Sequence, residues 1–178
     1  MNVFVAGVHG VGKTYLASQL PATLGLMYTS ASKLIKEECA MPNWGADKRV
    51  SNVDANQIAL AAAVKRHNDA GTRLLLDGHF VLLNSQGEFS PLGIEVFKPL
   101  NLDGIVLLEN DPHTIAIRIH KRDGRRTDID RMVEFIDAER SQGQMVCVEL
   151  GISLTILIAP SPDTFFEAIT ASARKVGR

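Results

Sequence analysis

Hydrophobic and polar positions along the chain alternate between two periods. Val3-Phe4-Val5-Ala6 is a short apolar run of β-formers closed by glycine, and the pattern then turns helical from Gly12 to Leu24, where Leu16, Leu20 and Leu24 stand four apart. Leu26 to Thr29 reads as a strand. Ser30-Ala31-Ser32 supplies N-cap chemistry for a helix from about Lys33 to Ala40. Met41 to Asn52, with Pro42, Asn43 and Gly45, reads as a loop. Asp54 is placed to cap the Ala-rich helix "ANQIALAAAVKRHNDA", which stops at Gly71. "RLLLD", Arg73 to Asp77, is the next strand, and "GHFVLLNSQGEFSPLG" reads as a mobile stretch before a short helix over Ile94 to Leu100.

"GIVLLE", Gly104 to Glu109, is a further strand, and Pro112 opens a helix in its first turn, where proline is tolerated. A helix from about Asp130 to Leu150, the strand "SLTILIA" and a closing helix from "PSPD" complete the chain. Continuous apolar strands separated by helices predict a parallel sheet covered on both faces, in one α/β domain spanning residues 1–178. There is no internal repeat and no low-complexity linker.

Composition sharpens this picture by exclusion. With 46% hydrophobic and 22% charged residues in 178, the chain has the mixture of a soluble globular domain. A net charge of -1 gives no global field toward nucleic acid or anionic lipid. Apolar runs are far shorter than the roughly 20 residues of a spanning helix, and no signal peptide precedes the first strand. A cytoplasmic protein is expected. Cys39 and Cys147 lack a zinc-ligand pattern and read as two buried reduced thiols.

The chemistry starts at "GVHGVGKT". Gly7 to Thr14 satisfies G-x-x-x-x-G-K-[ST] between a predicted strand and a predicted helix. Glycines let backbone N–H groups curl around a β-phosphate, and the following helix adds about half a positive charge. Lys13 reaches the β- and γ-phosphates and the Thr14 hydroxyl takes one Mg²⁺ position. The expected nucleotide contacts are Gly7, Gly10, Val11, Gly12, Lys13 and Thr14, with ATP and Mg²⁺ as the bound species.

A second carboxylate for the metal is expected at a buried strand end. Asp77 fills that place, with Glu109 and Asp111 as competitors on the next strand. Gly78 permits close backbone approach, and His79 stands where it can hydrogen-bond a metal-bound or attacking water. The run "RIHKRDGRRTD" carries Arg118 and Arg122 on one helix face, then Arg125 and Arg126 after Gly124. Arginines closing from a mobile lid neutralise the transferring γ-oxygens without a second protein. Lys13, His79, Arg122, Arg125 and Arg126 are therefore the expected catalytic set.

The stretches "GVHGVGKT", "LGLMYTSASKLIKEE", "LLLDGH", the arginine run and "IDRMVEFIDAER" together resemble the P-loop nucleoside monophosphate kinases. Among these the chain is most similar to archaeal-type adenylate kinases and the nuclear adenylate kinase with ATPase activity. The resemblance implies a five-stranded parallel sheet of order 2-3-1-4-5, sandwiched by helices. It also implies an acceptor-binding region at about 30–70 and a small lid at about 118–130. It adds Tyr15 to the ATP contacts, makes Asp77 and His79 a metal-and-water pair, and gives Arg122 a place on the adenine. The loop Ala159 to Pro162 lies where related kinases border that ring.

The arginines that ordinary adenylate kinases carry after strands two and three are missing, as in the archaeal-type group. Lys33, Lys36, Lys48, Arg49 and Gln57 remain as acceptor-side candidates. The expected reaction is phosphoryl transfer from ATP to a nucleoside monophosphate, AMP first. The alternatives are an ATPase acting as a switch on a protein or ribonucleoprotein partner, and a kinase of a non-nucleotide small molecule.

Overall fold

The computed structural model describes residues 2–40, 52–84 and 86–173. Five parallel strands form the central sheet: β1 (Asn2–Ala6), β2 (Leu26–Ser30), β3 (Arg73–Asp77), β6 (Leu102–Glu109) and β7 (Ser153–Ile158), in the order β2-β3-β1-β6-β7. Counted among the sheet's own strands this is 2-3-1-4-5. Two further strands, β4 (Val81–Leu83) and β5 (Phe89–Pro91), stand apart as an antiparallel hairpin. Every residue of β1 is buried, so helices cover both faces there, as central parallel strands require. Helix α7 (Pro162–Ala173) packs on β1, β6 and β7, while α6 (Ile129–Leu150) packs on β6, β7 and the hairpin.

Most predicted elements stand within two residues of their expected ends. The differences have local causes. Helix α1 runs only from Lys13 to Ser18, not to Leu24, because Pro21 offers no N–H and forces Leu20 out of helical geometry. Leu24 instead closes a short 3-10 turn, Ala22–Leu24. Helix α2 (Ala31–Cys39) starts where expected, with Ser30 Oγ accepting from Lys33 N at 3.2 Å. Helix α3 begins at Asn52, so Asp54 lies inside it and is not its cap.

The stretch after Asp77 carries the β4–β5 hairpin, an element not expected there. Asn84 Oδ1 accepts from the N–H groups of Gln86 and Glu88, both at 2.9 Å, and so closes the hairpin. Arg131 of α6 lies over the Phe89 ring at 4.8 Å, and Phe89 stacks on Phe135 with centroids 5.2 Å apart. Helix α6 therefore holds the hairpin by its side chains. Helix α4 (Ile94–Phe97) and a 3-10 turn (Lys98–Leu100) then lead into β6. Helix α5 (Pro112–Asp123) is capped by Asp111, whose Oδ2 accepts from Thr114 N at 2.7 Å.

Of the two thiols, Cys147 is buried but Cys39 is exposed at the end of α2, against the expectation of two buried cysteines. Among the described residues no helix is long and apolar enough to cross a membrane.

Candidate active site

The site forms where β1 and β3 end at the same edge of the sheet. Leaving β1, the chain turns through Gly7 (φ 137°), Gly10 (φ 81°) and Gly12 (φ 118°) before entering α1. Glycine is required twice over at Gly10: its backbone is left-handed, and a Cβ would lie 2.8 Å from Ile119 Cγ1. Lys13 is folded under this loop. Its Nζ donates to the Gly7 carbonyl and stands 3.4 Å from Val8 O, 3.4 Å from His79 Nε2 and 3.7 Å from Asp77 Oδ1. Burial pulls the lysine below its ordinary pKa, while Asp77 and then Glu139 push it back.

Asp77 ends β3 beside the loop, as expected. Its Oδ2 accepts from the Tyr28 hydroxyl at 2.8 Å, and that hydroxyl lies 3.3 Å from Thr14 Oγ1. Thr14, Tyr28 and Asp77 thus form one cluster of oxygens in front of Lys13. Hydroxyl and carboxylate oxygens are the donors Mg²⁺ takes, so this set fits that ion. Glu109 and Asp111 are committed elsewhere. Glu109 is held by Arg140 through contacts of 2.7 and 2.6 Å, and Asp111 caps α5.

His79 is neutral. Burial first, then Lys13 and His9, push its pKa down to about 2. Its ring lies 4.3 Å from that of His9, a loop residue whose own pKa is lowered, chiefly by burial. The motif leaves position nine unconstrained, so no local pattern singles His9 out. Tyr28 was missed for a different reason: its role depends on the register that sets it beside Asp77 of β3.

The arginines divide. Arg118 Nη1 donates to Val11 O at 2.8 Å, tying α5 to the phosphate loop. Arg122 pairs with Asp123 at 2.7 Å and lines the same cavity as His9. Arg125 and Arg126 are exposed in the connection between α5 and α6, and the structure does not bring them to that cavity. A small hollow behind the loop, about 280 Å³, is bordered by Tyr15, Arg118, Ala159 and Pro160. This is the face expected to hold the adenine, and Arg118 reaches it where Arg122 does not.

On the other side, a cavity of about 920 Å³ runs from the loop to α2, α3 and the hairpin. Lys33 and Gln57 line it, Lys36 is exposed outside it, and Lys48 and Arg49 lie outside the described residues. Glu139 of α6 is buried and does not line this cavity. Its Oε1 accepts from Phe80 N and Val81 N, each at 2.8 Å, and the Gly7 N–H also acts on this carboxyl. Burial raises this carboxyl to about 7, against the opposing pull of those N–H groups and of Lys13.

The AAA_17 family profile, an AAA domain, matches residues 6–135, from the end of β1 into α6. The chain belongs to this family. The matched region of this AAA domain contains the phosphate loop, Asp77, His79 and the arginine run. Among solved structures it is similar to a sugar kinase from Janibacter sp. HTCC2649, at 18% identity and TM-score 0.59, covering 98% of this chain and 95% of that one. The tunicamycin resistance protein of Deinococcus radiodurans matches at 15% identity and TM-score 0.60, over 97% and 95% of the two chains. A gluconokinase from Sinorhizobium meliloti 1021 matches at 14% and 0.54, over 97% and 91%. At these identities the likeness is one of fold. No curated protein matches the sequence.

Proposed function

We propose that this AAA domain is an ATP- and Mg²⁺-dependent kinase that phosphorylates a small molecule held in the large cavity. The observation that carries the reading is continuity. Lys13, Thr14, Tyr28 and Asp77 line the same cavity as Lys33, Gln57 and Leu60, so an acceptor bound beside α2 and α3 faces the phosphate loop directly. Two structural neighbours, a sugar kinase and a gluconokinase, agree with that reaction class.

Bound Mg²⁺ would neutralise charge on the β- and γ-phosphates. The chain's own residues do the remaining work. Loop N–H groups and Lys13 hold the triphosphate, and Arg118 fixes the loop to α5. Tyr28 orients the Asp77 carboxylate through its hydrogen bond. The acceptor oxygen bonds to the γ-phosphorus as the bond to the β–γ bridging oxygen breaks. ADP leaves, and the acceptor hydroxyl's proton passes to Asp77 or to water. The lid role of Arg122, Arg125 and Arg126 belongs to this proposal and requires the connection after α5 to close over the nucleotide.

AMP is the narrower reading, carried by the resemblance to adenylate kinases; its phosphate would call on Lys33 and Arg49. The switch-ATPase reading draws on His79, whose Nε2 stands 3.4 Å from Lys13 Nζ at the phosphate loop. ATP turnover measured with AMP, CMP, GMP, UMP, gluconate and glucose, resolving ADP from free phosphate, decides among them. ADP formation dependent on an acceptor supports the kinase. Phosphate release blind to every acceptor overturns it in favour of the switch.

A further inference from the structure

Glu139 reaches the phosphate site from behind. It lies on α6, 59 residues beyond Phe80, and is 1% exposed. Its Oε1 takes the N–H groups of both Phe80 and Val81, the two residues that follow Asp77, Gly78 and His79. The Gly7 N–H, where the phosphate loop begins, acts on the same carboxyl. One carboxylate thus engages backbone on both sides of the site, the loop after β1 and the turn after β3. A glycine makes this reach possible. Gly143 stands one helical turn further along α6, where a Cβ would lie 2.8 Å from the Phe80 ring, so the helix comes close enough for Glu139 to meet main chain.

Holding a turn does not by itself call for a charge. An amide would accept from the same N–H groups, and an ionised carboxylate is costly to bury unless a partner offsets it. Most charged groups on the surrounding elements are committed elsewhere. Arg140, next on α6, is engaged by Glu109 of β6 and by Asp137. Glu88 of the hairpin is turned to Asn84, and Glu95 of α4 to Lys98. At the end of β3, Asp77 is tied to Tyr28, while His79 is neutral and lies against His9. Lys13 remains, and among charged groups it acts on Glu139 most strongly. Its ammonium favours the ionised carboxyl, and the carboxyl in turn favours the charged ammonium.

We infer that Glu139 is a positioning residue of the nucleotide site, holding Gly7 and the turn after His79 in place around Lys13 and taking up a proton as the triphosphate arrives. This rests on the loop being a triphosphate site, which the kinase reading shares. In the empty site Lys13 supports the carboxylate. A bound triphosphate engages that ammonium and brings several negative charges to the loop, so the ionised carboxyl loses its support and takes one proton from solvent. The carboxyl titrates near 7 in the empty site and higher in the occupied one. Binding is therefore strongest below about 7 and weakens as the pH rises above it.

The test is isothermal titration of the full chain with γ-thio-ATP and Mg²⁺ at pH 6.5, 7.5 and 8.5, which reads binding without an acceptor. The parent's affinity should fall several-fold across that range. Glu139→Gln keeps the oxygen and lacks the titration, so its affinity should fall much less. Buffers of different ionisation heat at pH 7.5 should show a proton uptake in the parent that is smaller in Glu139→Gln. Glu139→Ala removes the oxygen as well and should weaken binding about ten-fold at pH 6.5, with most of that loss recovered in Glu139→Gln. Melting checks both variants, and if Glu139→Ala does not fold, the pH comparison of the parent with Glu139→Gln decides alone. The same pH slope and proton uptake in parent and Glu139→Gln overturn the inference and leave the kinase reading standing. So does a folded Glu139→Ala that binds as the parent does. No binding by the parent at any of these pH values overturns the inference and the kinase reading together.

Discussion

Tyr28 and Asp77 are 49 residues apart in the chain and joined by a 2.8 Å hydrogen bond across two parallel strands. The register explains the meeting. Tyr28 pairs with Leu75, and Asp77 is the next residue of β3 on the same face. The carboxylate is thereby held between a neutral phenol and the Lys13 ammonium. Burial first pushes the phenol's pKa up to about 12, so it remains a donor throughout the working range.

Tyr28→Phe removes that donor while keeping the ring. The Mg²⁺ concentration giving half-maximal turnover should rise several-fold, and the fold should lose about 1.5–3 kcal/mol, the scale of one hydrogen bond to a charged group. A magnesium titration of turnover checks the first effect and urea unfolding the second. An unchanged magnesium dependence would remove Tyr28 from the site.

Lys13→Ala should abolish ATP turnover with the chain still folded. Circular dichroism and turnover on the same sample decide it. Full activity in the variant would sink the phosphate-loop account as a whole.

Glu139 gives the fold a pH dependence of known sign. Its carboxyl titrates near 7 in the fold against an ordinary 4.5, so the native state holds a proton that the unfolded chain has released. Its contribution to stability is complete below about 4.5 and is lost as the pH rises through about 7. Glu139→Gln keeps an oxygen for the Phe80 and Val81 N–H groups and removes the titration. The urea midpoint should therefore fall less between pH 5 and pH 8 in Glu139→Gln than in the parent. Parallel curves would count against the assignment.

His79 acts with the opposite sign. It stays neutral in the fold while the unfolded chain takes up a proton below 6.5, so stability is lost as the pH falls from 6.5 toward 2. His79→Gln should unfold at a lower pH in an acid titration followed by circular dichroism. An acid midpoint identical to the parent's would show that His79 does not drive the transition.

The two thiols should separate by rate. Cys39 is exposed, whereas burial pushes the Cys147 thiol up to about 11. An aromatic disulfide reagent at pH 8 should label one thiol quickly in the native protein and the second only on unfolding, with Cys39→Ser removing the fast phase. Two equal fast phases would contradict the burial of Cys147.

Much of this molecule was legible because the relevant signals are local. Periodicity located the strands of the main sheet, and a contiguous motif located the phosphate loop between β1 and α1. Asp77 was legible as a carboxylate closing an apolar strand. Local reading failed where a competing local rule was underweighted, as when Pro21 ended α1 early. It also failed where contacts come from elsewhere: the β4–β5 hairpin was not foreseen because the residues it packs on, Arg131, Phe135 and Glu139, lie on α6.

By itself, the sequence determined the alternation of strands and helices and the loop built for a phosphate, since both depend on neighbours a few residues apart. Tertiary structure alone decided the register of β2 on β3, and so that Tyr28 meets Asp77. It also packed Phe4, Leu60, Phe97 and Leu100 together in the core beside the cavity. An apolar side chain looks the same in the sequence whether it fills a core or lines a cavity. Packing makes that distinction, because it fixes which faces meet and where a gap the size of a substrate is left between them.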